Sequence, residues 1–289
     1  MDDTWLRRGD RALEAKDWER AIASYQTALR QELLPPHLAA QVHYCLAVAW
    51  EGRGHPLVAL SSLQKAIACD PQHWHAHVYL GDCCQRQGWQ ELAIQHYLTA
   101  LKGSPSSFTA EAHGRLGQLL AERQSWDEAI ACYQRALKVN RHEASAHLGL
   151  VQIHIARGHL EQAQEACALA QSLDPDLVGA STWNQLGVAF ARQRSDRSQA
   201  MAHVQQAIAQ DPTYAPAHCN LGVLWFQQGE LREAILACKE ALDLDPRMAQ
   251  CFYNLSVALQ QSGCDDEARA CAVAAHDLVP TLNHVDFVL

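Results

Sequence analysis

Apolar positions along this chain recur with helical spacing, in two short stretches per period. In one period His75 to Gln87 and Glu91 to Lys102 each carry an apolar stripe, Gly88 stands between them, and Pro105 lies beyond. The internal break recurs at Gly54, Gly158, Gly229 and Gly263, and the closing proline at Pro71, Pro175, Pro212, Pro246 and Pro280. Glycine accepts the positive φ of a helix C-cap, and proline cannot continue a helix but starts the next one well. The pattern predicts helix, turn, helix, turn, repeated.

The period is set by alanine. Ala21, Ala59, Ala93, Ala129, Ala163, Ala200, Ala234 and Ala268 follow one another at 38, 34, 36, 34, 37, 34 and 34 residues. Seven residues after each stands another: Ala28, Ala66, Ala100, Ala136, Ala170, Ala207, Ala241 and Ala275. Residues seven apart share one helix face, so each second helix offers a smooth strip to a neighbour. The first helices answer with Gly9, Ala47, Gly81, Gly117, Gly187, Gly222 and Ser256, and Val151 is the exception. Leu80, Leu116, Leu221, Tyr25, Tyr97 and Tyr133 fill the space between. Such a crossing is sensitive to bulk, one methylene too many costing roughly 1–3 kcal/mol.

These residues resemble the tetratricopeptide repeat, seen in Trp5-Leu-Arg-Arg-Gly9, His77-Val-Tyr-Leu80-Gly81, Trp183-Asn-Gln-Leu186-Gly187 and His218-Cys-Asn-Leu221-Gly222. Second helices match as Ala21…Tyr25…Ala28, Ala93…Tyr97…Ala100 and Ala129…Tyr133…Ala136. The resemblance implies an all-α fold, a right-handed α-solenoid (superhelix) of about eight helix-turn-helix repeats. We expect a single solenoid over 2–282, with repeats near 2–35, 40–73, 74–107, 110–143, 144–177, 180–214, 215–248 and 249–282, then an apolar tail at 283–289. Extra residues at Pro35-Pro36-His37-Leu38, Ser106-Ser107, Val178-Gly179 and Arg194-Ser195-Asp196 fall at helix junctions, where insertions are tolerated.

Charge and composition narrow the function. A formal net charge of −9 argues against a nucleic-acid partner. No run of 18 apolar residues predicts membrane insertion, and the start Met-Asp-Asp-Thr-Trp is not a signal peptide. Eleven cysteines lie scattered, without a C-x-x-C, and Cys83, Cys84, Cys132, Cys167 and Cys238 stand at or beside packing positions. That usage suits reduced thiols and a cytoplasmic setting. His73, His75 and His77 invite a metal, but His75 points away from the other two on a helix. His43, His77, His113, His147 and His218 share one repeat position, and equivalents in adjacent repeats stand about 10 Å apart. We read them as packing residues. His142-Glu-Ala-Ser-Ala-His147 has one residue too many for a zinc-protease helix. Trp18, Trp89 and Trp126 follow the mid-repeat turn and read as core. No cofactor and no catalytic constellation is implied.

The family resemblance places the binding groove along the first helices. The fifth position of each repeat reads Leu6, Tyr44, Val78, Gly114, Leu148, Asn184, Cys219 and Tyr253; it lacks the lysine of repeats that clamp a terminal carboxylate. The sixth reads Arg7, Cys45, Tyr79, Arg115, Gly149, Gln185, Asn220 and Asn254, and the ninth Asp10, Val48, Asp82, Gln118, Gln152, Val188, Val223 and Val257. Gln185, Asn220 and Asn254 are similar to the amide ladder of protein O-GlcNAc transferases, able to hold a peptide backbone. Tyr44, Tyr79, Asp82, Arg115 and Gln118 would read side chains, and Gln152 is a further groove residue. The expected function is a non-catalytic scaffold binding an extended or helical peptide in a concave groove. The alternative is a substrate-recruiting module of a glycosyl- or methyltransferase whose catalytic part lies outside this chain. The apolar tail, ending Phe287-Val288-Leu289, suggests self-association through the C-terminal end.

Overall fold

The computed structural model describes residues 4–31, 34–103, 107–193 and 197–279. They form sixteen helices and no strand. In chain order these are α1 (Thr4–Glu14), α2 (Trp18–Gln31), α3 (Pro36–Gly52), α4 (Pro56–Cys69), α5 (Trp74–Arg86), α6 (Gln90–Ala100), α7 (Ser107–Glu122) and α8 (Trp126–Val139). Then follow α9 (Ala144–Arg157), α10 (Leu160–Leu173), α11 (Ala180–Arg192), α12 (Arg197–Gln210), α13 (Ala215–Gln228), α14 (Leu231–Leu244), α15 (Ala249–Gln261) and α16 (Asp265–Leu278). They make two compact units that divide between Gly149 and Leu150, within α9. Pro105, Ser106, the insertion at 194–196, Pro280 and the tail at 283–289 lie outside the described residues. No described helix is long and apolar enough to cross a membrane.

In the first unit α1 packs on α2, α3 on α4, α5 on α6 and α7 on α8, and α2, α4 and α6 also meet α3, α5 and α7. The second unit stacks α11 with α12, α13 with α14 and α15 with α16 in the same way. The alanine strips are the seam. All sixteen are buried, and only Ala268 and Ala275, in α16, retain any exposed surface, at 7% and 2%. A Cβ built on Gly81 would stand 2.5 Å from the Tyr97 ring, and one on Gly9 the same distance from Tyr25. On Gly222 it would meet Cys238 Sγ at 2.6 Å and the backbone oxygen of Ala234 at 3.0 Å. The small residues are there because the crossing leaves no room.

The described mid-repeat turns close through their backbone. His55 N–H donates to the Trp50 carbonyl, Trp89 to Cys84, Ser125 to Leu120, His159 to His154, Glu230 to Trp225 and Cys264 to Leu259, all at 2.8–3.0 Å. This six-to-one bond is the Schellman closure, which needs a left-handed residue just before the donor. Gly54, Gly88, Gly158, Gly229 and Gly263 supply it, with φ between 73° and 86°. Lys16 and Gln124 adopt φ of 56° and 61° in the equivalent turns of the first and fourth repeats. An L-residue pays roughly 1–2 kcal/mol there, partly offset by glycine's greater entropy loss. Gln124→Gly should therefore raise unfolding stability by about 0.5–1 kcal/mol, measured by urea denaturation; a loss would mean the Gln124 side chain contributes more than its backbone costs.

The second helices stop by a recurring Asx turn. Asp70, Asn140, Asp174, Asp211 and Asp245 each accept the backbone N–H two residues on, at 2.9–3.1 Å. At Asp211 the Thr213 hydroxyl, and after it this backbone bond, hold the carboxyl below its ordinary range. The extra residues Pro36, His37 and Leu38 do not widen a loop; they form the first turn of α3, with Pro36 at the position that needs no N–H. Trp89 departs from the expected core: it is 50% exposed. Trp18 and Trp126 stand three residues before their alanines, whereas Trp89 stands four before Ala93, one step off the buried face.

Candidate functional site

Stacking sets which positions meet. The fifth position of one first helix faces the sixth of the next, as Tyr44 against Tyr79, Asn184 against Asn220 and Cys219 against Asn254. The groove positions are therefore partly consumed in joining neighbouring repeats.

In the first unit the expected residues converge. The Tyr44 and Tyr79 rings meet edge-on at 6.0 Å, and Tyr44 lies 5.4 Å from the His73 ring. His75 links His73, at 6.1 Å, to Phe108, at 5.1 Å, so a run of rings lines this face. The Tyr79 hydroxyl donates to Glu51, whose carboxylate also pairs with Arg86 at 2.5 Å. Burial, with Glu51 as acceptor, pushes the Tyr79 phenol far above its ordinary range, so it serves as a neutral donor. Asp82 accepts the Tyr97 hydroxyl at 2.7 Å and meets Arg115 Nε at 3.4 Å. Arg115 also lies 3.6 Å from Glu111. Gln118 and Gln85 both donate to Glu122, at 3.3 and 3.4 Å. Asp82, Gln85, Arg86, Arg115, Gln118 and Glu122 line a depression of about 360 Å³.

Tyr44, Tyr79, Asp82, Arg115 and Gln118 were legible from repeat register. Glu51, Gln85, Arg86 and Glu122 were not, because only the fifth, sixth and ninth positions were read. They occupy the twelfth and thirteenth, and the same register extended by one turn finds them.

The second unit corrects the amide ladder. Asn220 donates to the Asn184 side chain at 2.9 Å, and Asn184 is buried. Asn254 is 0% exposed; it accepts from Gln250 at 3.2 Å and donates to Cys219 Sγ at 3.7 Å. Asn254 therefore presents no amide to a groove, and Asn220 spends its own on the preceding repeat. Gln185 is exposed, its amide 3.3 Å from the Ser181 hydroxyl, and Gln152 is exposed on α9. The ladder also breaks at Gly149 for a steric reason: a Cβ there would stand 2.2 Å from the buried Tyr133 ring.

The histidines pack as their shared position suggests. His77 and His218 hold the carbonyls of Pro71 and Pro212 through Nε2, at 3.3 and 2.9 Å. His73 and His75 pair with each other at 6.1 Å while His77 Nδ1 meets His96 Nδ1 at 3.1 Å, so it is His77, not the expected His75, that parts from the other two. Among the described residues no group of three or more His, Cys, Asp or Glu is placed to hold a metal ion.

Stacked hairpins joined by alanine seams and carrying polar residues on their first helices define a helical-repeat protein. The chain matches tetratricopeptide repeat models at 6–72, 51–108, 115–178 and 215–248. It belongs to the tetratricopeptide repeat family, whose members bind protein or peptide partners and are generally non-catalytic. It is 30% identical over 155 residues to the probable UDP-N-acetylglucosamine–peptide N-acetylglucosaminyltransferase SPINDLY of Hordeum vulgare. That match covers 51% of this chain and only 16% of the barley protein. Its fold is similar to the C-terminal part of a TPR repeat-containing protein from Cytophaga hutchinsonii, at TM-score 0.65 and 16% identity, over 86% of this chain and 98% of that one. It is also similar to YrrB, described as a TPR protein with an unusual peptide-binding site, at TM-score 0.53 and 19% identity, over 64% and 93%.

Proposed function

We propose that this chain is a non-catalytic scaffold that captures a partner's extended or helical segment along the first-helix faces. The observation that carries this reading is the gathering of Asp82, Gln85, Arg86, Arg115, Gln118 and Glu122 around one depression, with Tyr79 tied to Arg86 through Glu51. Half-exposed aromatic and arginine side chains supply most of the energy in such interfaces, with surrounding contacts adding little individually. Their positions are fixed beforehand by Glu51 and Asp82, which lowers the ordering cost of binding.

Arg115 and Gln118 are exposed, so truncating them should leave stability within about 0.5 kcal/mol. Arg115→Ala with Gln118→Ala should lose partners in affinity capture from lysate, read by mass spectrometry, at an unchanged melting midpoint. An unchanged partner list would remove the depression from the binding surface. The likeness to the SPINDLY repeats supports a second reading, a substrate-recruiting module for a transferase. Capture of one glycosyltransferase together with many unrelated proteins would favour it, and a single stable partner would favour the scaffold.

A further inference from the structure

Three neighbouring first helices, α3, α5 and α7, join their rings into one strip. Tyr44 on α3 meets His75 at 6.3 Å and Tyr79 at 6.0 Å on α5, and His75 reaches Phe108 on α7 at 5.1 Å. His75 is exposed, and Tyr44, Tyr79 and Phe108 are half-buried, so each keeps surface open to solvent. The Tyr44 hydroxyl makes no hydrogen bond among the described residues. Burial raises its pKa above the ordinary phenol range, with Glu111 and Asp82 adding to the shift, so it is a neutral donor beside two carboxylates.

The same helices carry more carboxylate than they neutralise. With histidine counted neutral, their charged side chains are Glu51, Asp82, Arg86, Glu111, Arg115 and Glu122, four carboxylates against two guanidinium groups. Both arginines are already engaged, Arg86 by Glu51 at 2.5 Å and Arg115 by Asp82 at 3.4 Å and Glu111 at 3.6 Å. Glu122 receives the amides of Gln118 and Gln85, and no cation pairs with it among the described residues. Glu111 stands at the register position of His75, one repeat on, and so beside the strip of rings.

From this we infer that the first unit's first-helix face binds a proline-rich segment in the polyproline II form, with arginine or lysine among its prolines. Polyproline II has three residues per turn and advances about 9 Å per turn, close to the roughly 10 Å between packed helices, so every third residue meets a ring of the next repeat. Proline rings pack on aromatic side chains, and a proline-rich backbone offers carbonyls with few N–H groups, which suits the Tyr44 hydroxyl as donor. Basic side chains between the prolines meet Glu111 and are drawn by the uncompensated charge of Glu122. The inference rests on the groove reading and names the ligand for the first unit's share of it.

The test uses the full chain and three fluorescent twelve-residue peptides, acetylated and amidated: four repeats of Pro-Pro-Arg, of Pro-Pro-Glu and of Gly-Ser-Arg. Fluorescence anisotropy at low salt should show the Pro-Pro-Arg peptide binding at least tenfold more tightly than either of the others, its margin over Pro-Pro-Glu narrowing as salt screens the charges. Glu111→Arg with Glu122→Arg should turn the preference toward Pro-Pro-Glu, which an unfolded variant could not do. Equal binding of the Pro-Pro-Arg and Gly-Ser-Arg peptides, or an arginine preference that survives the double substitution, overturns the inference. So does binding of none of the three. The groove reading is judged separately, by the partners lost from Arg115→Ala with Gln118→Ala, so the two fail independently.

Discussion

Gly222→Leu should abolish cooperative folding of the second unit. A Cβ alone at this position meets Cys238 Sγ at 2.6 Å and the Ala234 carbonyl oxygen at 3.0 Å, and the second of these is backbone that cannot rotate aside. Gly222→Ala should already cost about 1–3 kcal/mol through overpacking. Leucine adds three more carbons against an α14 that buries Ala234, Ala237, Cys238 and Ala241. Gly81→Leu should behave alike in the first unit, where Tyr97 is fully buried and its ring has nowhere to move. Gly179, whose Cβ would meet nothing within 4 Å, is the control: Gly179→Ala should be close to neutral. Circular dichroism with thermal melting reads all four. A Gly222→Leu protein with the wild-type midpoint would show that the α13–α14 seam is looser than described.

Mild acid should weaken the fold. His43, His73, His77, His96, His113, His154 and His203 all have pKa values lowered from the ordinary histidine range, burial being the largest cause in each. The folded chain therefore binds fewer protons than the unfolded chain once pH falls below about 6.5. Stability is fully present above that pH and is lost progressively as pH falls toward the lowered folded-state values. His77 and His96 illustrate the cause. His77 Nε2–H donates to the Pro71 carbonyl, so its Nδ1 accepts from His96 Nδ1–H. A further proton on His77 would set two N–H groups against each other. The melting midpoint should drop on the order of 5 °C between pH 7.5 and 5.5. His96→Glu, which would give His77 a carboxylate partner as Glu240 does for His218 from one turn further along its helix, should reduce that drop. A midpoint that is flat or rises toward pH 5.5 would contradict this account.

The seams were readable in the sequence because they depend on size alone. Sixteen alanines and the glycines opposite them carry no other plausible purpose at that spacing, and each lies where the period places it. Turn glycines were equally plain, although Lys16 and Gln124 show that the backbone imposes positive φ even where glycine is missing. What escaped were contacts between repeats. Glu51 reaching Arg86, Asn184 reaching Asn220 and Cys219 reaching Asn254 depend on how one hairpin settles on the next. A run of amides along one register looks the same in sequence whether it faces a ligand or a neighbouring helix. Asn254 does the second.

Site-specific photo-cross-linking is the direct measurement of whether the first helices are the binding face. A photoreactive phenylalanine analogue at Gln118 or Gln185, both exposed on first helices, should cross-link to partner segments in lysate. The same probe at Leu98 or Leu236, exposed on second helices, should not. Cross-links from Leu98 and Leu236 with none from Gln118 or Gln185 would place recognition on the second helices and contradict the account.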